Sequence, residues 1–242
     1  MTAPVAPWAL SGEAMVAFVR RAGLRRSLPD GIAPLPGPVA FVAARYDGSP
    51  VGPYLELAVA EPARLGPRPG WCVTTMAVDV PEARAGGRLN WGYPKELAQL
   101  SWTTCDGVST LRWCERDIAV SGTPTRWRAP VLVPMRSVQR RADGPVVVPG
   151  GLRGMARTAR FTIEIPDDDP LAPLARVGAR GVHLASLRLN VQPARHPRGW
   201  ASSLRAPLRA PAPGLLLSSC TGPTAADEPR AILAAPGRLA QR

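Results

Sequence analysis

The chain has 242 residues, 45% of them hydrophobic, with 29 prolines, 23 glycines and a formal charge of +12. That length buries a sizeable core and reads as a single domain over 1–242, and no apolar run is long enough to span a membrane. The arginines are scattered in short doublets such as Arg20-Arg21, Arg25-Arg26 and Arg140-Arg141, without the patch or motif of a nucleic-acid binder; they read as a basic surface that favours anionic substrates.

The first stretch, MTAPVAPWALSGEAMVAFVRRAGLRR, lacks the pattern of a secretory leader, so the expected location is the cytoplasm. Ser11–Arg21 is predicted as a helix, from an N-cap serine, the apolar residues Met15, Val16, Phe18 and Val19, and a basic end. Strands are predicted over Val39–Arg45, Tyr54–Ala60 and Trp71–Val78, with Asp47-Gly48 as a turn. Short helices are predicted over Pro81–Arg84 and Pro94–Leu100, each opened by a proline. Strands Leu100–Thr104 and Ser109–Cys114 form a hairpin around Asp106-Gly107. Segment 136–160, rich in Gly, Pro and Arg, is predicted as loop. A strand over Arg160–Ile165 follows, then a helix over Pro170–Val177 capped by Asp167–Asp169, a strand over His183–Val191, and a Pro/Ala-rich loop-like tail after about 207. Prolines and glycines thus cut the chain into short strands with few helices, which predicts an α+β, mainly antiparallel barrel or curled sheet with the helices outside it.

Cys72, Cys105, Cys114 and Cys220 show no Cys-x-x-Cys spacing, and His183 and His196 are the only histidines. No metal site or cofactor is expected; the thiols read as reduced and mostly buried, with Cys105 and Cys114 placed to face one another across the hairpin. Gly150-Gly151-Leu152-Arg153-Gly154 lacks the lysine of a phosphate loop and reads as a turn between strands. Arg126-Trp127-Arg128 reads as a strand end with cations folded over an aromatic face. No serine, histidine and aspartate fall into a hydrolase signature.

One residue stands apart. Of the 30 basic Lys and Arg residues only Lys95 is a lysine. Arginine stays protonated and forms no imine, whereas a neutral lysine amine is a nucleophile. In a chain this biased, a single lysine can also be a leftover on a solvated surface. Its setting, Trp91-Gly92-Tyr93-Pro94-Lys95, favours the reactive reading. Pro94 as a first helical residue would put Lys95 where the helix dipole disfavours an ammonium, and Trp91 and Tyr93 would add desolvation.

Two segments resemble the acetoacetate decarboxylase family. Gly87-Arg88-Leu89-Asn90-Trp91-Gly92-Tyr93-Pro94-Lys95 is similar to the family's segment with the imine-forming lysine, and Asp47-Gly48-Ser49-Pro50-Val51-Gly52-Pro53-Tyr54-Leu55-Glu56 to its glycine-rich turn leading to an active-site glutamate. The resemblance covers about Leu24 to Trp102 and implies a conical antiparallel β-barrel and a homo-oligomer. It puts Lys95 on the nucleophile, Glu56 on one catalytic glutamate and Arg88 within the motif. It departs at three places: the lysine after the nucleophile is Glu96 here, a second glutamate falls on Phe41, and an N-terminal arginine falls near Leu10.

The chemistry that follows is imine formation between Lys95 and a small oxo-acid, with Glu56 moving protons or positioning water. Decarboxylation is the first outcome; a Schiff-base aldolase or dehydratase, or a barrel that binds a small ligand without turnover, are the alternatives. Tyr54 and Tyr93 are candidates to hydrogen-bond the substrate, Phe41, Trp91 and Trp102 to wall it or simply to fill the core, and Arg45 or Arg88 to meet its carboxylate.

Overall fold

The computed structural model describes residues 3–20 and 28–197. The predicted tail, together with Cys220, Arg21 and Arg25-Arg26, lies outside the described residues.

The strands are β1 (Trp8–Val19), β2 (Ile32–Pro34), β3 (Val39–Gly48), β4 (Tyr54–Leu65), β5 (Arg68–Val78), β6 (Lys95–Leu97), β7 (Leu100–Cys105), β8 (Val108–Trp113), β9 (Ile118–Arg141), β10 (Gly144–Glu164) and β11 (Arg176–Val191), with one α-helix, α1 (Pro81–Trp91), between β5 and β6. They form one sheet in the order β6-β5-β4-β3-β1-β11-β10-β9-β8-β7, with β2 beside β4. The pairings are antiparallel except for β5 with β6 and a contact of β5 with β9 at Trp71 and Ser137. That contact brings distant strands of a strongly curled sheet together, as right-handed twist accumulates.

The central strands are buried on both faces, because successive side chains point opposite ways. In β3, Phe41 and Ala43 enter one cluster with Met15, Leu57, Leu111, Val120 and Phe161. Ala44 and Tyr46 enter a second with Trp8, Leu10, Ala14, Tyr54, Val78 and Trp91, and α1 covers this face through Ala83. Strand alternation thus assigns each residue of these strands to one of two separate environments.

The structure corrects the predicted helix at Ser11–Arg21: the segment lies in β1, whose burial alternates around an irregularity at Gly12/Ala14. Val16, Phe18 and Val19 are β-branched or aromatic and suit a strand better than a helix. The strand predicted at Trp71–Val78 is found as β5, which begins three residues earlier at Arg68, and the hairpin at Asp106-Gly107 agrees with expectation, both turn residues having positive φ (50° and 77°) as a type I′ turn requires. The predicted loop 136–160 is instead parts of β9 and β10, paired almost throughout from Gly144–Arg141 to Glu164–Ala119. Gly150–Gly154 is accordingly mid-strand, not a turn, and Arg126–Arg128 lies within β9 with Trp127 exposed, not at a strand end. Between Thr123 and Arg136, β9 pairs with β10 but has no strand on its other side among the described residues, so Pro124, Pro130 and Pro134 are accommodated at an edge. The helix predicted at Pro170–Val177 shrinks to a 3-10 turn at Ala172–Leu174, and Arg176 already belongs to β11. Asp169 shapes that turn by accepting from the Leu171 N–H, while its carboxylate also takes two bonds from Arg116.

Cys72 is buried, but Cys105 and Cys114 are exposed. They do not face each other: Cys105 pairs with Val108 beside the turn, and Cys114 follows Trp113 at the far end of the hairpin. No described helix is long and apolar enough to cross a membrane.

Candidate active site

Lys95 begins β6, not a helix. Helix α1 carries Pro81 at its start and Glu82 in its first turn, and runs past the predicted Arg84 to Trp91, where Gly92 adopts a left-handed conformation (φ 72°). Pro94 then prevents helical continuation, and three residues join β5 in parallel, Lys95 opposite Met76. The helix dipole therefore does not act on Lys95 as the sequence suggested. The side chain is instead held by close approach. Gly87 is the reason it fits: a Cβ there would stand 2.4 Å from Lys95 Cδ and 2.6 Å from Cε. Gly86 does the same for the ring of Trp8, at 2.4 Å. Arg88, exposed on the same helix, reaches back so that its Nε donates to the Lys95 carbonyl at 2.6 Å, anchoring the backbone without meeting the amine.

Glu56 arrives from β4 on the same face. Register places it between Ala44 of β3 and Val78 of β5. Lys95 Nζ donates to Glu56 Oε2 at 2.7 Å, with both side chains almost wholly buried. The other oxygen, Oε1, accepts from the Tyr46 hydroxyl at 3.2 Å. Nζ also lies 5.1 Å from the centre of the Tyr54 ring, which packs 4.8 Å from the ring of Tyr46. Tyr93 shares a hydrogen bond of 2.8 Å with Ser137. Trp91 packs between Trp8, edge-on, and Tyr93, tilted, and donates its indole N–H to the Gln192 carbonyl at 2.8 Å.

The chain has three tyrosines, and all of them gather here. Burial, and next the charge of Glu56, raise the Tyr46 and Tyr54 phenols well above their ordinary range. Burial pushes Tyr93 up to about 12 against the lowering effect of its bond to Ser137. At neutral pH the site thus presents one amine, one carboxyl group and neutral phenols that donate hydrogen bonds.

Lys95, Glu56, Tyr54, Tyr93 and Trp91 come together, with Arg88 behind the backbone. Phe41 and Trp102 do not join them. Phe41 sits in the first cluster, across the sheet, and Trp102 packs against that same cluster. Arg45 also serves the far face, between Glu13 (3.4 Å) and Asp47 (3.6 Å) and 5.8 Å from the Trp102 ring. Glu96 is exposed, turned away from Lys95 by strand alternation. Lys95 is consequently the only fully buried lysine or arginine among the described residues. Sequence reasoning missed Tyr46, Gly87 and Ser137. None of the three left a local signal: Tyr46 stands one residue beyond the predicted strand Val39–Arg45, and its bond to Glu56 follows from the register of β3 with β4.

The family model for acetoacetate decarboxylase matches residues 2–120. Among curated proteins none matches the sequence. The fold is similar to that of acetoacetate decarboxylase from Legionella pneumophila (TM-score 0.57, 19% identity, covering 81% of this chain and 88% of that one). It is similar also to the enduracididine biosynthesis enzyme MppR complexed with pyruvate (0.59, 19%, 79% and 90%), a protein also seen with the condensation product of pyruvate and imidazole 4-carboxaldehyde. A third likeness is to an acetoacetate decarboxylase-like enzyme from Sphingomonas wittichii RW1 (0.56, 17%, 79% and 92%). At these identities the likeness is one of fold.

Proposed function

Over residues 2–120 the chain belongs to the acetoacetate decarboxylase family, and we propose from that premise that it is a lyase acting on a small oxo-acid through an imine on Lys95. The observation that carries this reading is the buried contact of Lys95 Nζ with Glu56 Oε2 at 2.7 Å. A lone buried ammonium would be costly, so the pair keeps the amine inside and gives its proton a nearby acceptor.

Glu56 takes a proton from Nζ, and the neutral amine attacks the ketone carbon to form a carbinolamine. Loss of water, assisted by proton return from Glu56, gives the iminium. In a 3-oxo acid the bond from the α-carbon to the carboxylate then breaks; carbon dioxide leaves, and the electron pair moves into the iminium to give an enamine. Negative and positive charge cancel along this path, which a water-poor site favours. Carbon protonation and hydrolysis return the ketone and free Lys95. Tyr46 fixes the orientation of Glu56, and the Tyr54 and Tyr93 phenols are the donors available to substrate oxygens.

A specific observation supports a second reading. Among the described residues no arginine is buried beside Lys95 to hold a substrate carboxylate, and the similar protein MppR is seen with a condensation product of pyruvate. The enamine formed from a 2-oxo acid attacks an aldehyde instead of following carbon dioxide loss, giving aldol addition or, after water leaves, dehydration.

Borohydride reduction in the presence of acetoacetate or pyruvate, followed by peptide mass analysis, tests the shared step. A reduced adduct confined to Lys95 supports the proposal, and no adduct with any 2- or 3-oxo acid refutes it. Carbon dioxide release then distinguishes decarboxylation from condensation.

A further inference from the structure

The reverse face of the sheet, away from Lys95, holds an open groove of about 650 Å³ where β1, β10 and β11 meet. That volume is in the range of small-ligand sites. Register defines its floor. Ser11 of β1 lies opposite Arg188 of β11, which lies opposite Arg153 of β10, which lies opposite Leu132 of β9. Directly opposed residues of antiparallel strands project to one side, so these four share a face. Gly48 of β3 shares it, because a Cβ on it would stand 2.7 Å from Ser11 Oγ. Leu10, one residue along β1, points the other way into the cluster of Trp8 and Tyr46.

Arg153 and Arg188 are direct cross-strand neighbours, and neither has an ion-pair partner among the described residues. Like charges placed this way destabilise a sheet. The surroundings do not relieve them. Four residues along β10, Arg157 stands opposite both Arg128 and His183, and neither ring nitrogen of buried His183 has a hydrogen-bond partner among the described residues. The nearest carboxylate on this face of β1, Glu13, is engaged by Arg45. Asn190 and Ser11 add neutral polar groups to the lining, while Gly151 leaves open space where a side chain would stand.

We propose that this groove is a second ligand site, which binds a small anion bearing a carboxylate or phosphate group through Arg153 and Arg188. Two guanidinium forks a strand apart can bracket such a group with paired hydrogen bonds, and binding would turn their repulsion into attraction. The site is separate from the amine chemistry, so loss of either leaves the other standing.

The test is isothermal titration of the full chain with inorganic phosphate and, in a second arm, succinate, in dilute Tris chloride. Saturable binding of at least one anion is expected, with Kd raised tenfold or more in Arg153→Gln and in Arg188→Gln; the stronger arm identifies the chemistry. Both residues are exposed, so the variants keep the core intact. In anion-poor buffer Arg188→Gln should melt no lower than the parent, whereas added phosphate or succinate should raise the parent's Tm and leave the variant's unchanged. Absence of saturable binding in both arms, or binding that both variants retain, overturns the proposal. So does a change in oligomeric mass in the variants without a change in anion affinity, which would make the arginines a subunit contact.

Discussion

Lys95 and Glu56 are each other's counter-charge in a setting nearly closed to water, so removing one strands the other. Glu56→Ala should lower unfolding free energy in urea by about 3–5 kcal/mol, and Lys95→Met combined with Glu56→Leu should recover most of that loss, because breaking a buried pair costs more than replacing it. Lys95→Arg keeps the charge and should leave no reducible adduct with any oxo-acid, a loss visible in the same mass analysis. Because every tyrosine of the chain lies in this site, phenolate absorbance reports on it alone. The raised phenols keep their protons in the folded state while an unfolded chain loses them near pH 10. Their contribution to stability is therefore complete below pH 10 and declines as pH rises beyond it. A spectrophotometric titration should show almost no phenolate at pH 10, then an abrupt rise with alkaline unfolding. Lys95 and Glu56 were legible because rarity and motif single them out. Tyr46 was not, since its partnership with Glu56 depends on register between β3 and β4, which no local pattern states.

Helix α1 is a spacer whose glycines set how near the amine comes to the sheet. Gly87→Ala introduces a methyl group where Lys95 Cδ already lies, so the side chain or the helix must move. The expected outcome is at least a tenfold slower imine formation with far-UV circular dichroism unchanged, whereas Ala85→Gly, on the exposed side of the same helix, should cost only about 1 kcal/mol of stability and leave the imine rate alone. Sequence marked the start of α1 through Pro81 but not its extent, because a double glycine argues against helix until its packing role is known. The same locality explains the error at β1. Its apolar residues fit a helical spacing loosely, and only pairing with β3 and β11 on both sides decides for a strand. In β9 and β10 prolines masked a ladder that tolerates them at an unpartnered edge.

A sheet buried on two faces uses strand alternation to separate two environments, which is why Phe41, Trp102 and Arg45 fall away from an amine that sequence proximity and motif had grouped with them. The antiparallel class was readable from turn chemistry; the two-sided burial was not, as it requires the curl that brings β5 to β9. The far face carries its own pH response. Burial, with Arg157 in support and Glu13 opposing, lowers the pKa of His183 below its ordinary 6.5. The unfolded chain then takes up a proton before the folded one does, so stability is intact above pH 6.5 and falls as the medium is acidified. Urea midpoints measured from pH 7.5 to 5 should decline, and His183→Gln should flatten the slope. The long β9 ribbon has one further effect on behaviour in solution. Trp127, Leu132, Val133 and Met135 are exposed along it, a composition that would otherwise template foreign strands. Pro124, Pro130 and Pro134 withhold the amide hydrogens a docking strand would need, so the protein should resist seeding into amyloid, and replacing these three prolines with threonine should produce thioflavin-positive fibres on incubation.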